Sequence, residues 1–174
     1  MGNAWGLLSR LKTLALIATA GALACPAAAA TISGSGEAVV VTPLTLVNTD
    51  TLRFGSLVAS ASAGTVTIDP FTEVRTTTGG VTPVAGAVSA GKFTGLTSAM
   101  SHLKIDLPNG SITLSRVGGG ATMTANNFEL NGDKNDWMAA NTVFEFQVGA
   151  TLNVGVNQMP GTYIGTYDVT VTYR

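Results

Sequence analysis

The sequence predicts an all-β domain that folds as a two-sheet sandwich with Greek-key connections. Valine, isoleucine, leucine and phenylalanine recur with period two along most of the chain after residue 30, which is typical of strands with one buried face. Glycine-rich turn signals arrive roughly every eight to twelve residues, as in sandwiches built from short strands. No helical period follows residue 30, which excludes a nucleotide-binding fold of alternating strands and helices.

Residues 1–30 have the composition of a cleaved secretory signal peptide. Arg10 and Lys12 precede an apolar run at 14–23, and four alanines end the segment. The run is too short to cross a bilayer, which takes about 20 residues. We therefore expect cleavage at or just before Ala30, export to the periplasm, cell surface or medium, and no membrane span in the mature chain. Lipidation of Cys25 is the alternative, for which the preceding residues are a weak match.

The mature chain, residues 31–174, is long enough to form one domain with its own core and no disulfide bond. Seven of the nine basic residues remain after the loss of Arg10 and Lys12, beside ten acidic residues, so the formal charge is −3. Because no basic stripe exists, nucleic acid is excluded as a partner.

Residues 31–47 are predicted to form an extended N-terminal arm. Ile32, Ala38 and Val40 share one parity with two glycines, which gives the arm a slim apolar face. Pro43 lacks a backbone donor and indicates a sheet edge or a bulge. The next predicted strands span residues 51–58, 64–70, 73–78, 81–87 and 91–96, with a turn at 79–80.

The clearest local pattern in the second half is a hairpin. Residues 102–107 and 111–115 both alternate, and Asn109-Gly110 between them supplies the positive φ of a tight turn. We expect this hairpin to place five residues in the core: Leu103, Ile105, Leu107, Ile112 and Leu114. Further strands are predicted at 122–130 and 142–154, on either side of a long polar loop at 131–141.

Residues 161–174 are predicted to form the closing strand, with an apolar and a polar face. Ile164 is the one apolar residue on the polar parity. An alternating strand left alone is an aggregation hazard, so another segment must pair with it. The apolar parity holds Tyr163, Gly165, Tyr167, Val169, Val171 and Tyr173.

No constellation of residues indicates catalysis, a cofactor or a metal. His102 is the only histidine, and it has no second ligand at a metal-site spacing. Residues 131–136 resemble a calcium loop only faintly, because they lack its glycine and its final glutamate. We therefore expect a non-enzymatic protein. Trp137, in the polar loop, is the candidate for contact with a sugar; a partly buried loop anchor is the alternative.

Four phrases resemble a family of exported bacterial domains. They are residues 52–57 (LRFGSL), 64–70 (GTVTIDP), 148–154 (VGATLNV) and 160–173 (PGTYIGTYDVTVTY). The family is domain of unknown function 4402, which is similar to spore coat protein U and to the immunoglobulin-like pilins of chaperone–usher systems. The resemblance covers essentially the whole mature chain.

The resemblance to pilins implies a mode of assembly. Pilins end in an alternating strand with a penultimate aromatic and a glycine fourteen residues from the end, which correspond here to Tyr173 and Gly161. That strand borders a groove, filled first by a periplasmic chaperone and then by the arm of the next subunit. On this resemblance residues 31–40 would be the donor strand, with three apolar side chains inserted: Ile32, Ala38 and Val40.

Two interpretations of the arm remain open. It pairs either within its own chain, in a self-closed sandwich, or with a second copy, in a homopolymer. The mature chain departs from pilins in lacking the cysteine pair that many of them carry and in the small side chains of its arm, and both features count against exchange between copies. The sequence thus predicts an exported structural or adhesive surface subunit, and the alternative is a monomeric carbohydrate-binding module.

Overall fold

The computed structural model describes residues 44–174, and every regular element in that range is a β-strand. All pairings between these strands are antiparallel. The predicted all-β class is therefore confirmed. The strands are β1 (Thr45–Asp50), β2 (Arg53–Phe54), β3 (Leu57–Ile68), β4 (Arg75–Pro83), β5 (Val88–Ser89), β6 (Gly91–Leu96), β7 (Ser101–Asp106), β8 (Ile112–Arg116), β9 (Thr122–Leu130), β10 (Asn135–Met138), β11 (Val143–Val154), β12 (Tyr163–Ile164) and β13 (Thr170–Tyr173).

Eight strands form the larger sheet, and β11 lies at its centre. The main path is β1-β6-β11-β9-β8-β12, and β3 pairs with both β11 and β4. One edge of β11 pairs with β6 over residues 143–148 and with β3 over residues 150–154. The other edge pairs with β9. The twelve residues of β11 therefore hold three neighbours in one sheet.

The smaller sheet has three strands in the order β10-β7-β13, and β2 and β5 form a separate pair. The consecutive strands β6, β7 and β8 lie in the larger, the smaller and again the larger sheet. Connections that cross between sheets in this way are typical of Greek-key sandwiches. The predicted two-sheet sandwich is thus confirmed.

The core contains alternate residues of the facing strands. Phe146 of β11 stacks on Phe93 of β6, with ring centroids 5.2 Å apart, and Leu103 and Ile105 of β7 are buried in the same cluster. Burying one such side chain contributes about 1.5–3 kcal/mol. The cluster also contains Val66, Val81, Leu107, Met123, Ala125, Phe128, Leu130, Phe144, Val148, Ala150, Leu152 and Val154.

The predicted hairpin at residues 102–115 is wrong. Its two strands exist as β7 and β8, but β7 pairs with β10 and β13, and β8 pairs with β9 and β12. Residues 107–111 instead carry the chain from the smaller sheet to the larger. An Asn-Gly sequence turns the chain but does not choose the partner strand. Leu103, Ile105 and Leu107 are buried as expected, whereas Ile112 and Leu114 are partly buried against the core.

Two predicted breaks in the chain are also corrected. Gly79 lies inside β4, opposite Gly64, so the expected turn at residues 79–80 is absent. The pairing of β3 with β4 instead shifts in register between Ala59 and Gly64. That pairing joins the predicted strands around residues 58 and 64 into the single strand β3. The polar loop at 131–141 contains β10, which lacks the alternation that would have predicted it.

The predicted arm is only partly described. Its residues 45–47 belong to β1, which pairs with β6. The predicted signal peptide and the arm residues Ile32, Ala38 and Val40 lie outside the described residues. In residues 44–174 there is no helix of the length and hydrophobicity that a membrane span needs.

Candidate assembly site at the C-terminal strand

The tail, residues 161–174, first joins the larger sheet. Tyr163 lies opposite Arg116 in the β12–β8 pair, and the Arg116 Nε donates to the Pro160 carbonyl at 2.8 Å. The Tyr163 hydroxyl donates to the Met159 carbonyl at 2.6 Å and accepts from Gln158 Nε2 at 2.7 Å. These bonds hold the start of the tail at the edge of β8.

Gly165 lets the tail leave the larger sheet. A Cβ at this position would lie 2.7 Å from the Thr113 carbonyl oxygen and 3.1 Å from Leu114 Cγ. Only glycine, which has no side chain, can lie this close to β8 without displacing the backbone. The predicted closing strand is therefore interrupted, and its two halves, β12 and β13, belong to different sheets.

Tyr167 fills the core beneath this crossing. Its ring lies edge-on to Phe93, with centroids 6.2 Å apart, and tilted against Phe128 at 5.3 Å. Its hydroxyl is buried beside Gly91, and no described residue hydrogen-bonds to it. Burial raises the pKa of Tyr167 to about 12. The side chain thus joins the tail to the larger sheet at the cost of one unsatisfied hydroxyl.

The second half of the tail completes the smaller sheet. β13 pairs with β7, and Val169, Val171 and Tyr173 pack partly buried against the core. The Tyr173 hydroxyl accepts a hydrogen bond from the Ser98 backbone N–H at 3.0 Å, and its oxygen lies 3.1 Å from Ser98 Oγ. Hydrogen bonds from the side chain and backbone of Ser98 lower the pKa of Tyr173. The predicted apolar parity therefore faces the core.

The outer edge of β13 has no partner strand within residues 44–174. The Arg174 N–H donates to the His102 carbonyl at 2.8 Å, which makes these two a hydrogen-bonded pair. Hydrogen-bonded pairs alternate with non-hydrogen-bonded pairs along an antiparallel ladder. The amide and carbonyl of Thr172 therefore also face β7, whereas those of Val171 and Tyr173 point away from it. These outward groups are what an added strand would bind.

The strands β6 and β1 of the larger sheet have defined directions relative to β13. β6 starts at Gly91, next to Tyr167, and ends at Leu96, two residues before Ser98, which binds Tyr173. β6 and β13 therefore run in the same direction. β1 is antiparallel to β6, with Thr45 opposite Leu96, so β1 begins at the Tyr173 end of the edge.

Trp137 is part of strand β10 and not of a loop, which corrects its predicted position. It lies opposite His102 on β7, with ring centroids 4.5 Å apart and planes at 70°. Trp137 is 54% exposed and in contact with His102, so its ring is partly buried and partly open to solvent. Sequence reasoning missed the contact with His102 because the alternation of β7 gave no sign that β10 is its neighbour.

The described part of the chain offers no cluster of three or more His, Cys, Asp or Glu side chains that could hold a metal ion. Residues 131–136, which faintly resemble a calcium loop, include the start of β10. Backbone groups at the free edge of β13 and polar side chains around Trp137 are available for hydrogen bonding.

Comparison with known protein families gives one match. Residues 44–173 match the family model described as "Domain of unknown function (DUF4402)". No curated protein and no solved structure matches the chain.

Proposed function

Because this chain belongs to the DUF4402 family, whose description gives no activity, we propose a function from the geometry of its tail. The protein is an exported, non-enzymatic structural subunit of the cell surface, and its copies assemble by β-strand addition to β13. The composition of residues 1–30 supports export.

The observation that carries this proposal is the free edge of β13. Val171 and Tyr173 direct backbone donors and acceptors outward, while their side chains remain only partly buried against the core. A strand added here would satisfy the backbone groups and cover the apolar face at once. Left uncovered, such an edge promotes aggregation, so a periplasmic chaperone would have to hold it before assembly.

The proposed occupant is residues 31–40 of a second copy. This segment alternates in the way that an added strand requires, with Ile32, Ala38 and Val40 on one parity. Gly34 and Gly36 on that parity would fit where the bulky ring of Tyr167 leaves least room. Small side chains on the arm therefore match a face whose own aromatic residues already fill much of the space.

The direction of the strands favours a second copy over the same chain. β1 begins level with the Tyr173 end of β13, so a donor segment of the same chain would have to approach β13 from that end. A strand antiparallel to β13 starts at the Tyr173 end and finishes at the Tyr167 end. The two ends are about 20 Å apart, because six extended residues separate Tyr167 from Tyr173. A second copy is free of this constraint, and every described pairing in this fold is antiparallel.

Sedimentation of the purified mature chain, residues 31–174, tests the proposal. We expect polymers, and we expect a folded monomer after deletion of residues 31–40 that binds a synthetic peptide of residues 31–43. Val171→Pro removes an amide that points away from β7, so it should block assembly and keep the fold, as Pro is tolerated at outward edge positions. A wild-type chain that stays monomeric, together with a deletion variant that ignores the peptide, would overturn the proposal.

A further inference from the structure

The outer face of the smaller sheet carries a row of polar and aromatic side chains. Residues directly opposite each other across an antiparallel pair share one face of the sheet. Trp137, His102 and Arg174 therefore form one row, and Asn135, Lys104 and Thr172 form the next. Neighbouring strands are about 4.8 Å apart, so each row spans on the order of 10 Å.

His102 supports the indole of Trp137 from one side. Because the His102 amide and carbonyl face β13, its pairing with Trp137 is of the non-hydrogen-bonded kind, in which side chains approach most closely. The two rings meet at 70° with centroids 4.5 Å apart. More than half of the Trp137 side chain still faces solvent. The indole is thus held against His102 on strand β10 and open to a ligand.

Hydrogen-bonding groups surround the indole. The Lys104 Nζ donates to Asp106 Oδ2 at 2.7 Å, which orients both groups on the face. Asn135 and Thr172 flank Lys104 on the two neighbouring strands. The face therefore offers amide, ammonium and hydroxyl groups in the row next to the aromatic surface, and the Asp106 carboxylate one row further along.

We propose that this face, defined by Trp137, His102, Lys104, Asn135 and Thr172, binds a saccharide. A hexopyranose ring has an apolar C–H face that stacks on an indole and hydroxyl edges that bond to polar side chains. The inference does not depend on the proposed assembly. An edge-added strand lies beside β13 in the plane of the sheet, so the saccharide-binding face stays open in a polymer.

Composition of the face favours a saccharide over a protein partner. Trp137 is the only large apolar side chain on the three strands of this sheet that the structure shows as exposed. Protein interfaces usually need a larger apolar centre than one residue. Nucleic acid would need a stripe of cations, whereas Lys104 is paired with Asp106.

A glycan microarray, followed by affinity electrophoresis in gels with the soluble polysaccharide that scores highest, tests the inference. We expect the full chain to bind, Trp137→Ala to weaken binding at least about tenfold, and His102→Ala to weaken it less. Phe71→Ala is the matched control, since Phe71 is 69% exposed but lies on the β3–β4 connection, and it should bind like the wild type.

Two results would overturn the inference. One is a wild-type chain that binds no glycan on the array, and the other is a Trp137→Ala variant that binds like the wild type while its thermal unfolding is unchanged. Sedimentation of Trp137→Ala should still show polymers, so failure of saccharide binding and failure of assembly give different results. Lys104→Gln keeps the length of the side chain and should alter which glycans bind.

Discussion

The Tyr167 hydroxyl occupies the space where a side chain at Gly91 would begin. A Cβ built on Gly91 would collide with that oxygen, while its next neighbours, Leu52 Cβ and Tyr167 Cζ, would be 3.5 Å away. Gly91 starts β6 in the larger sheet, and Tyr167 belongs to the tail as it crosses to the smaller sheet. The close approach of these two residues therefore packs the crossing segment of the tail against the start of β6.

Gly91→Ala should destabilise the domain. The added methyl group forces Tyr167 out of a close-packed site, which costs about 1–3 kcal/mol in free energy of unfolding. Chemical denaturation measures this cost. Gly110→Ala is the control, because nothing lies within 4 Å of a Cβ there. Adding Tyr167→Phe should rescue most of the loss, and absence of rescue would contradict the described contact.

The stability of the wild type should fall at high pH in a way that depends on Tyr167. Burial raises the pKa of its hydroxyl from 10.0 to about 12. The unfolded chain therefore loses this proton first, and the contribution to stability, complete below pH 10, is lost as pH rises towards 12. Denaturation at several pH values from 9 to 12 measures it. The Tyr167→Phe variant should lose less stability over this window, and identical slopes would refute the effect.

Gly165→Ala should loosen the tail more than the rest of the domain. A Cβ would press against the Thr113 carbonyl oxygen and Leu114, so the crossing must move away from β8. We expect faster amide hydrogen exchange in β12 and β13 than in β11. Gly132→Ala, at a position with open space around a Cβ, should leave exchange unchanged. Equal protection in both variants would show that the crossing tolerates a side chain.

Thr97→Val should cost about 1–3 kcal/mol despite its similar shape. The Thr97 side chain is fully buried; its Oγ1 donates to the Ala139 carbonyl at 2.7 Å and accepts from the Thr142 N–H at 3.0 Å. Valine leaves both buried groups without this partner. Thr82→Val, at an exposed position of β4, is the control and should leave the free energy of unfolding nearly unchanged. Thermal unfolding of the two variants decides the matter, and equal midpoints would argue against the role of the hydroxyl.

The sequence was sufficient to predict strands with strong alternation. The strand at 122–130 has the predicted bounds, and the strand at 142–154 continues through Gly149 as expected. In the tail, the apolar parity faces the core, and Ile164, the exception on the polar parity, is 61% exposed. Alternation is a local property that burial enforces residue by residue, so it can be seen in the sequence.

Partner choice was not predictable in the same way. Residues 102–107 and 111–115 alternate equally well whether they pair with each other or with distant strands, so the Asn109-Gly110 turn misled the prediction. The break at Gly165 had no signal in the alternation, because glycine fits either parity. The closeness of Trp137 to His102 depends on the pairing of β10 with β7, which the short polar strand β10 did not indicate.

The pairing of β13 with β7 has a consequence for the order of events during biogenesis. The smaller sheet lacks one of its three strands until residues 170–173 have emerged from the ribosome. Contacts between such distant segments also form slowly. The sandwich of residues 44–174 is therefore completed only after residues 170–173 have been made, however early the larger sheet forms.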